Sequence, residues 1–463
     1  MPTSENAPAA PAPIPPPGPK GWSVVGDLPA IWRQGMVPFF ERCWRQHGDV
    51  FRFDAGQNAV VVAHPEGIKR ILATRRDNYV KGRSFDGLRR VLGDGLITLE
   101  GEQWRARRTI VQPAFHRTAL GGITDAMVES GRRYFDGLRD RLDPGGWSSI
   151  DAYREMVSLT LDVVVTALFG RDLGPAAEVS GDGFGKALEL VSERTNGIVL
   201  PEWLPTPRNL RFHRTLRQLD AAVYRVIDAG RRRGADAERT LLAMLLSARD
   251  EDTGAPLSDR EIRDEVFTLF VAGHETTALT LTWLFTLLDG RPEVLAAMRA
   301  EVDDVLEGRD PDYSDVPRLG YLRKVVDETL RLRGPVVMTA RTALADDEIL
   351  GFSIKRDDLV MPYFWGAHRH RRFWSDPERF DPERFDPDRG KDRHPWSYLP
   401  FSGGQRMCIG ATFSLVESVV LLAQLLNRFE LRTVPGQDIG FNMLTTLRPA
   451  SPVRIELRPR GTS

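Results

Sequence analysis

One of the two cysteines in this 463-residue chain stands in "PFSGGQRMCIGATFSL", residues 400 to 415. Gly403, Gly404 and Gly410 flank Cys408, and an apolar run at helical spacing follows it. Glycines let a backbone turn tightly and let a flat ligand come close. At a helix N-terminus, free N–H groups and the helix dipole favour thiolate over thiol. Arg406, two residues earlier, adds a cation able to bind an anionic group. Taken alone, these residues fit an inert buried thiol, a disulfide to Cys43, a nucleophile with a histidine partner, or a metal ligand. A zinc site needs several N or S ligands at close spacing, and no other cysteine is near.

"FSGGQRMCIG" resembles the Phe-x-x-Gly-x-Arg-x-Cys-x-Gly pattern of the cytochrome P450 haem-thiolate monooxygenases. Phe401, Gly404, Arg406, Cys408 and Gly410 occupy its fixed positions. The resemblance implies that Cys408 is the axial ligand of a haem b iron, where thiolate donation favours O–O cleavage. It also places Phe401 by the sulfur-side face of the ring and Arg406 on a haem propionate.

Other motifs follow the family's order between residues 101 and 410. Trp104 and Arg108 in "GEQWRARRTIV" are four apart, so on a helix they face one way and can share a carboxylate. The resemblance makes that carboxylate a propionate and gives Arg341 a similar role. "AGHETT", residues 272 to 277, puts glycine and tandem threonine inside a helical run, which by itself reads as a packing notch. In the family it is the oxygen groove, with Thr276 holding bound oxygen and Glu275 relaying protons from solvent. Glu328 and Arg331 of "ETLR" are spaced to pair. With Arg384 of "DPERF" they match the family's buried structural ion cluster.

The elements needed to position these residues are legible. "SDRE", Ser258 to Glu261, is a capping box opening a helix to about Leu288. "EVLAAMRAEVDDVL" and "YLRKVVDETLRL" carry helical periodicity. "DVFRFDAG" and "AVVVAHP" read as strands joined by a turn at Gly56 and Asn58. The fold class is mainly α with a minor β part. The resemblance implies the cytochrome P450 fold, with haem between the long central helix and the cysteine-loop helix. Residues 1–20 form a flexible, proline-rich N-terminus, and 21–463 a single haem-thiolate monooxygenase domain.

A net charge of −1 gives no global field toward nucleic acid or an anionic membrane. Val266 to Leu288 is long enough to span a bilayer, but His274 and Glu275 at its centre favour a buried core helix. No signal-peptide pattern is seen, so a reducing cytoplasm is expected. "AHRHRR", His368 to Arg372 with His370 between, reads as solvated charge rather than a metal site.

The resemblance further implies insertion of one oxygen atom of dioxygen into a hydrophobic terpenoid, steroid or fatty acid, by hydroxylation or epoxidation. Electrons would come from a ferredoxin and its NAD(P)H-dependent reductase, with Arg105, Arg107, Lys391 and Arg393 as a docking patch. A monomer is expected. A peroxide-driven peroxygenase and a non-catalytic haem sensor are the alternatives; Glu275 and Thr276 speak against both. Family placement lines the substrate pocket with Phe85, Leu88, Val91, Leu96, Val199, Leu200, Phe267, Phe270, Val271, Ala272, Val336, Val337, Met338, Met443 and Leu444. Arg83, Arg89 and Arg90 are nearby cations that could hold a substrate carboxylate.

Overall fold

The computed structural model describes residues 13–21, 26–54, 56–170, 206–233, 240–249, 254–443 and 445–461. The chain forms two compact units. The first comprises Met1–Ser84, Met338–Pro377 and His394–Arg406; the second comprises Phe85–Val337, Glu378–Arg393 and Met407–Ser463.

The first unit is built on a five-stranded sheet. Its spatial order is Val50–Asp54, Asn58–Val62, Leu359–Pro362, Arg341–Ala343 and Tyr79–Val80. The two strands read from the sequence pair antiparallel, with Val50 opposite Val62 and Asp54 opposite Asn58. Val60, Val62 and Val360 lie in one buried cluster with Ile68, Leu72 and Phe364. Of the N-terminal stretch 1–20, residues 1–12 lie outside the described residues, and residues 13–20 make backbone contacts with the first unit. Ser353 N–H donates to Ile14 O at 2.8 Å and Arg52 N–H to Pro17 O at 2.8 Å. An extended proline-rich backbone keeps its carbonyls available, so it can accept from neighbouring edges even where it lacks donors.

The second unit is mostly helical, with strands Ser148–Asp151, Arg454–Pro459 and Phe429–Thr433 in one small sheet. Its axis is the helix Asp259–Leu287, which starts where the capping box places it. Glu261 N–H donates to Ser258 Oγ at 3.3 Å, and Ser258 N–H donates to Glu261 Oε2 at 2.8 Å. The helix Ala152–Phe169 packs closely along it. A Cβ on Gly273 would stand 3.1 Å from Val164 Cγ2, and Thr160 Oγ1 donates to His274 O at 2.8 Å. Gly273 is thus a packing glycine at a helix crossing, which the notch reading anticipated.

Helices Gly320–Arg333 and Ala411–Arg428 complete the part of this unit that frames the site. Arg331 donates to Glu328 through Nε at 2.7 Å and Nη2 at 2.8 Å. Arg384, carried by the short turn Pro382–Phe385, adds its Nε at 3.3 Å, and Asp381 N–H adds a donor at 2.8 Å. All three charged side chains are buried. Removing either guanidinium leaves a buried carboxylate short of charge and donors. Arg331→Ala should cost about 3–5 kcal/mol in denaturant unfolding; a loss under about 1 kcal/mol, the range of an exposed pair, would deny the cluster its structural role.

Glu417, on the helix Ala411–Arg428, receives no such support. Neither carboxylate oxygen has a hydrogen-bond partner among the described residues. Burial pushes its pKa up to about 8, with the Thr277 hydroxyl the one opposing influence. The folded pKa therefore lies above the ordinary 4.5. The associated stability is fully present below the unfolded pKa and is lost as pH rises through the folded one. Glu417→Gln should gain on the wild type in thermal unfolding between pH 4.5 and 8, by on the order of a few kcal/mol at the upper end. A gap that does not change with pH would show that Glu417 is not held protonated.

Candidate active site

Cys408 precedes the helix Ala411–Arg428 by one turn of chain, and both cysteines are free thiols. Cys43 is buried in the helix Met36–His47 of the first unit, whereas Cys408 is exposed. Burial nevertheless raises the Cys408 thiol, while the Gly410 N–H and the Arg108 guanidinium pull it down. Gly410 lies next to the sulfur: a Cβ there would touch it at 3.9 Å. Gly404 is required by the turn: its φ is +68°, and a Cβ would meet Leu72 O at 2.2 Å.

The helix Gly101–Val111 brings Trp104 and Arg108 to the same loop. Trp104 is buried in a cluster with Leu96 and Leu99, and Ile409 packs against it. Arg108 Nη1 donates to Met407 O at 3.0 Å, and burial lowers the Arg108 pKa, opposed by Cys408. Trp104, Arg108, Cys408 and Gly410 are therefore brought together within the second unit. Phe401, Arg406 and Arg341 belong to the first unit. Phe401 and Arg406 are half-buried in the glycine loop, and Arg341 is buried, with Nη1 donating to Ala340 O at 2.7 Å and Thr339 Oγ1 at 3.0 Å.

A soft thiol with a backbone N–H and a guanidinium beside it is a donor set that stabilises a thiolate. These residues fit a thiolate-ligated metalloporphyrin.

The long helix is buried on both sides of its middle, yet Val271, Ala272, Gly273, Glu275 and Thr276 keep accessible surface. Thr276 Oγ1 donates to Ala272 O at 2.7 Å, so its hydroxyl is aligned along the helix. Glu275 points elsewhere. Its carboxylate pairs with Arg448 and accepts from Tyr153 Oη at 3.4 Å. Burial raises Glu275 above the usual carboxylate range, opposed by Arg448, Tyr153 and Thr446. Arg448 and Tyr153 carry no motif signal; they come from elements distant in sequence, and only the fold joins them. His274 is buried and held neutral, its pKa lowered to about 4 by burial, with Nδ1–H donating to Phe270 O at 2.9 Å.

The expected pocket residues divide by accessibility. Phe85, Leu88, Val271, Ala272 and Met443 are half-buried, and Val336 is 37% exposed. Phe267, Phe270 and Val337 have at most 2% of their surface accessible, so they are packing residues rather than a wall for a ligand. Arg263 caps the Phe267 ring at 4.1 Å. Val91, Leu96 and Met338 are buried, Leu96 in the Trp104 cluster and Met338 in a bridge to Tyr363. Val199, Leu200 and Leu444 lie outside the described residues, as does the side chain of Arg83. Arg89 is engaged, donating to Thr98 O at 2.7 Å and pairing with Asp94.

Two surface expectations change. Arg107 is buried, donating to Glu261 at 2.6 Å and Glu265 at 3.0 Å, because it faces the start of the long helix. Arg393 turns inward to Arg384 O and lies over the Phe385 ring. Arg105 and Lys391 of the expected patch are exposed, and they pair with Glu102 and Asp388 respectively. His370 joins Asp49 and His64 in a group with metal-ligating atom types. Yet Nδ1 of His64 accepts from Glu66 N–H and Nδ1 of His370 from Arg372 N–H. Each neutral ring then presents an Nε2–H donor, not a lone pair, as His370 does to Asp49 at 3.1 Å.

Among the described residues, no helix is long and apolar enough to cross a membrane. The family model for cytochrome P450 matches residues 16–457. Cyclooctat-9-en-7-ol 5-monooxygenase of Streptomyces melanosporofaciens is 34% identical over 453 residues, 94% of this chain and 95% of that relative. Pentalenene oxygenase of Streptomyces avermitilis is 33% identical over 459 residues, 94% of this chain and 98% of the relative. The heme domain of cytochrome P450DA matches in structure with a TM-score of 0.87 at 27% identity, covering 97% of this chain and 98% of that one. A match across nearly the whole chain, on the glycine loop and helices described above, places this protein in the cytochrome P450 family of haem-binding monooxygenases.

Proposed function

We propose that Cys408 is the axial thiolate of haem b and that the protein oxygenates a hydrophobic, terpenoid-class substrate with dioxygen. The observation that carries this reading is the exposed Cys408, with Gly410 N–H and the Arg108 guanidinium favouring its charged form. The bound haem would supply oxygen activation. Within the second unit, Trp104 and Arg108 would hold a propionate. The substrate class rests on relatives named for cyclooctat-9-en-7-ol and pentalenene, and on apolar accessible residues such as Val271, Ala272, Val336 and Met443.

In this reading the chain's own work is ligand support, proton handling and exclusion of water. Gly410 N–H and the Arg108 cation lower the energy of the charged sulfur. Thr276 offers a hydroxyl that already donates at 2.7 Å to Ala272 O and can pass a proton onward from that position. Glu275, accessible and adjacent in sequence, is the acid that replenishes it. His274 is buried and held neutral against Phe270 O, so it does not act as an acid here. Electrons would come from a ferredoxin and its reductase.

The acid–alcohol pair favours dioxygen over peroxide as the oxidant. Supplied with a ferredoxin, its reductase and isotopically heavy dioxygen, the holoenzyme should place one heavy atom into cyclooctat-9-en-7-ol or pentalenene. Thr276→Ala should lower product per electron pair on the order of tenfold or more, with peroxide released instead. Unchanged coupling in Thr276→Ala would contradict the proton-handling assignment, and product labelled from water would contradict oxygenation.

A further inference from the structure

Three consecutive residues near the start of the long helix reach one stretch of chain. Arg263 Nη1 donates to Val91 O at 3.3 Å, and Asp264 Oδ2 accepts from Asp94 N–H at 2.8 Å. Glu265 Oε2 accepts from Leu96 N–H at 3.3 Å. The loop they hold, residues 93–99, is tied within itself. Thr98 Oγ1 donates to Gly93 O at 2.6 Å and accepts from Gly95 N–H at 3.1 Å. Arg89 donates to Thr98 O at 2.7 Å and pairs with Asp94. Gly95 lies so close to the helix that a Cβ would press on Thr268 Oγ1 and stand 2.8 Å from Asp264 O. The loop is thus one tied piece, seated on the helix from Asp264 to Thr268. Its Leu96 and Leu99 are buried with Trp104, against which Ile409 packs.

That seat is poorly satisfied at two points. Thr268 Oγ1 is buried with no hydrogen-bond partner. Glu265 is fully buried, and the cation beside it is shared: Arg107 reaches Glu265 at 3.0 Å and Glu261 at 2.6 Å. Asp264 is better served, with Arg263 at 2.8 Å and Asp220 balancing Arg263 in turn. The remaining charges at the seat are Asp94 and its partner Arg89. The last two turns of Ala152–Phe169 and the helix Leu241–Ser247 carry none. Burial outweighs Arg107 and the Leu96 N–H, so the Glu265 carboxyl is pushed up to about 7. A seam with an orphaned hydroxyl and a desolvated acid opens more readily than a fully paired one.

Along the helix the seat lies between two openings. On its N-terminal side is a cleft of about 480 Å³ whose walls include Asp94, Leu99, Arg107, Arg260, Glu261 and Asp264. On the other side, Glu265, Thr268, Ala272 and Thr276 follow at three- and four-residue spacing, on one face of the helix. The groove at Ala272 therefore begins about 6 Å beyond Thr268.

We propose that Glu265 is a positioning residue for ligand entry: through Leu96 N–H and Arg107 it seats the loop between cleft and groove, and its ionisation loosens that seat. It rests on the haem-thiolate reading only in taking the groove as the place a ligand enters. The sign follows from linkage. With the loop open and the carboxyl in water, its value returns toward the ordinary 4.5. The contribution to closure is then fully present below 4.5 and is lost as pH rises through about 7. The proton released goes to water, and no electron moves.

The test uses holoenzymes of wild type, Glu265→Gln and Glu265→Ala from about pH 5 to about pH 8. Amide hydrogen exchange of the peptide spanning residues 93–99, corrected for intrinsic exchange, reads the seat directly. Stopped-flow binding of tert-butyl isocyanide to ferrous haem reads entry, with carbon monoxide as a slender control; neither probe titrates in this range. In wild type, exchange and isocyanide on-rate should both rise about tenfold or more and level off above about pH 7. Glu265→Gln keeps an acceptor for Leu96 N–H and removes the titration, so both should stay at the wild-type acid value throughout. Glu265→Ala should be fast at every pH. The carbon-monoxide on-rate should not follow pH.

Flat exchange at residues 93–99 in wild type, or a pH rise that survives in Glu265→Gln, would overturn the proposal. An equal rise for carbon monoxide would place the effect at the iron and remove the entry role. If Glu265→Ala does not fold, the wild-type and glutamine profiles carry the comparison, because glutamine keeps the volume. The carbon-monoxide difference band separates the two levels of failure. A wild type without the red-shifted band fails the haem-thiolate reading, whereas a normal band with flat exchange fails the seat alone.

Discussion

A charged carboxylate or thiolate cannot be taken out of water without a cation, N–H donors or a proton to offset the loss. Four buried or half-buried glutamates of the second unit meet that constraint in different ways. Glu328 has two guanidiniums and a backbone N–H, and its cluster ties the helix Gly320–Arg333 to the turn at Pro382–Phe385. Glu265 has Arg107 and the Leu96 N–H, yet burial still pushes it up to about 7. Glu417 has no partner of ordinary geometry among the described residues and keeps its proton at neutral pH. Glu275 sits between these extremes, with burial raising it and Arg448 pulling it down.

That gradation matters because the site poses the same problem for sulfur. Cys408 is raised by burial and lowered by Gly410 N–H and Arg108, so the loop holds a thiol whose charged form has local support. The same helix that brings Arg108 brings Trp104, whose cluster includes Ile409, the residue after the cysteine. Packing and electrostatics thus act through one contact. Along the long helix, close packing at Gly273 and Val164 fixes the backbone on which Glu275 and Thr276 stand. Rigid elements hold groups that must be placed to within fractions of an ångström.

Much of this was legible in the sequence where the signal is local. The Ser258–Glu261 box marks the helix start because both partners lie within one turn. The alternating strands at Val50–Asp54 and Asn58–Val62 and the spacing of Glu328 with Arg331 are local in the same sense. Arg107 misled because a charge on a helix reads as exposed until the opposing helix is known, and here that helix carries Glu261 and Glu265. Arg448 and Tyr153 were invisible for a related reason: each is about 120 to 170 residues from Glu275, and no spacing rule links them. Docking of residues 13–20 depends on carbonyls that a proline-rich composition does not advertise. Phe267, Phe270 and Val337 were apolar at the expected positions, but composition alone does not separate a packed core face from a ligand wall.

The central claim is that Cys408 ligates haem iron as a thiolate. The measurement that reads it most directly is the carbon-monoxide difference spectrum of the reduced protein, wild type beside Cys408→Ser. A strongly red-shifted Soret band is expected in the wild type and not in the serine variant. Haem-loaded wild type without that band, or a serine variant that retains it, would contradict the assignment.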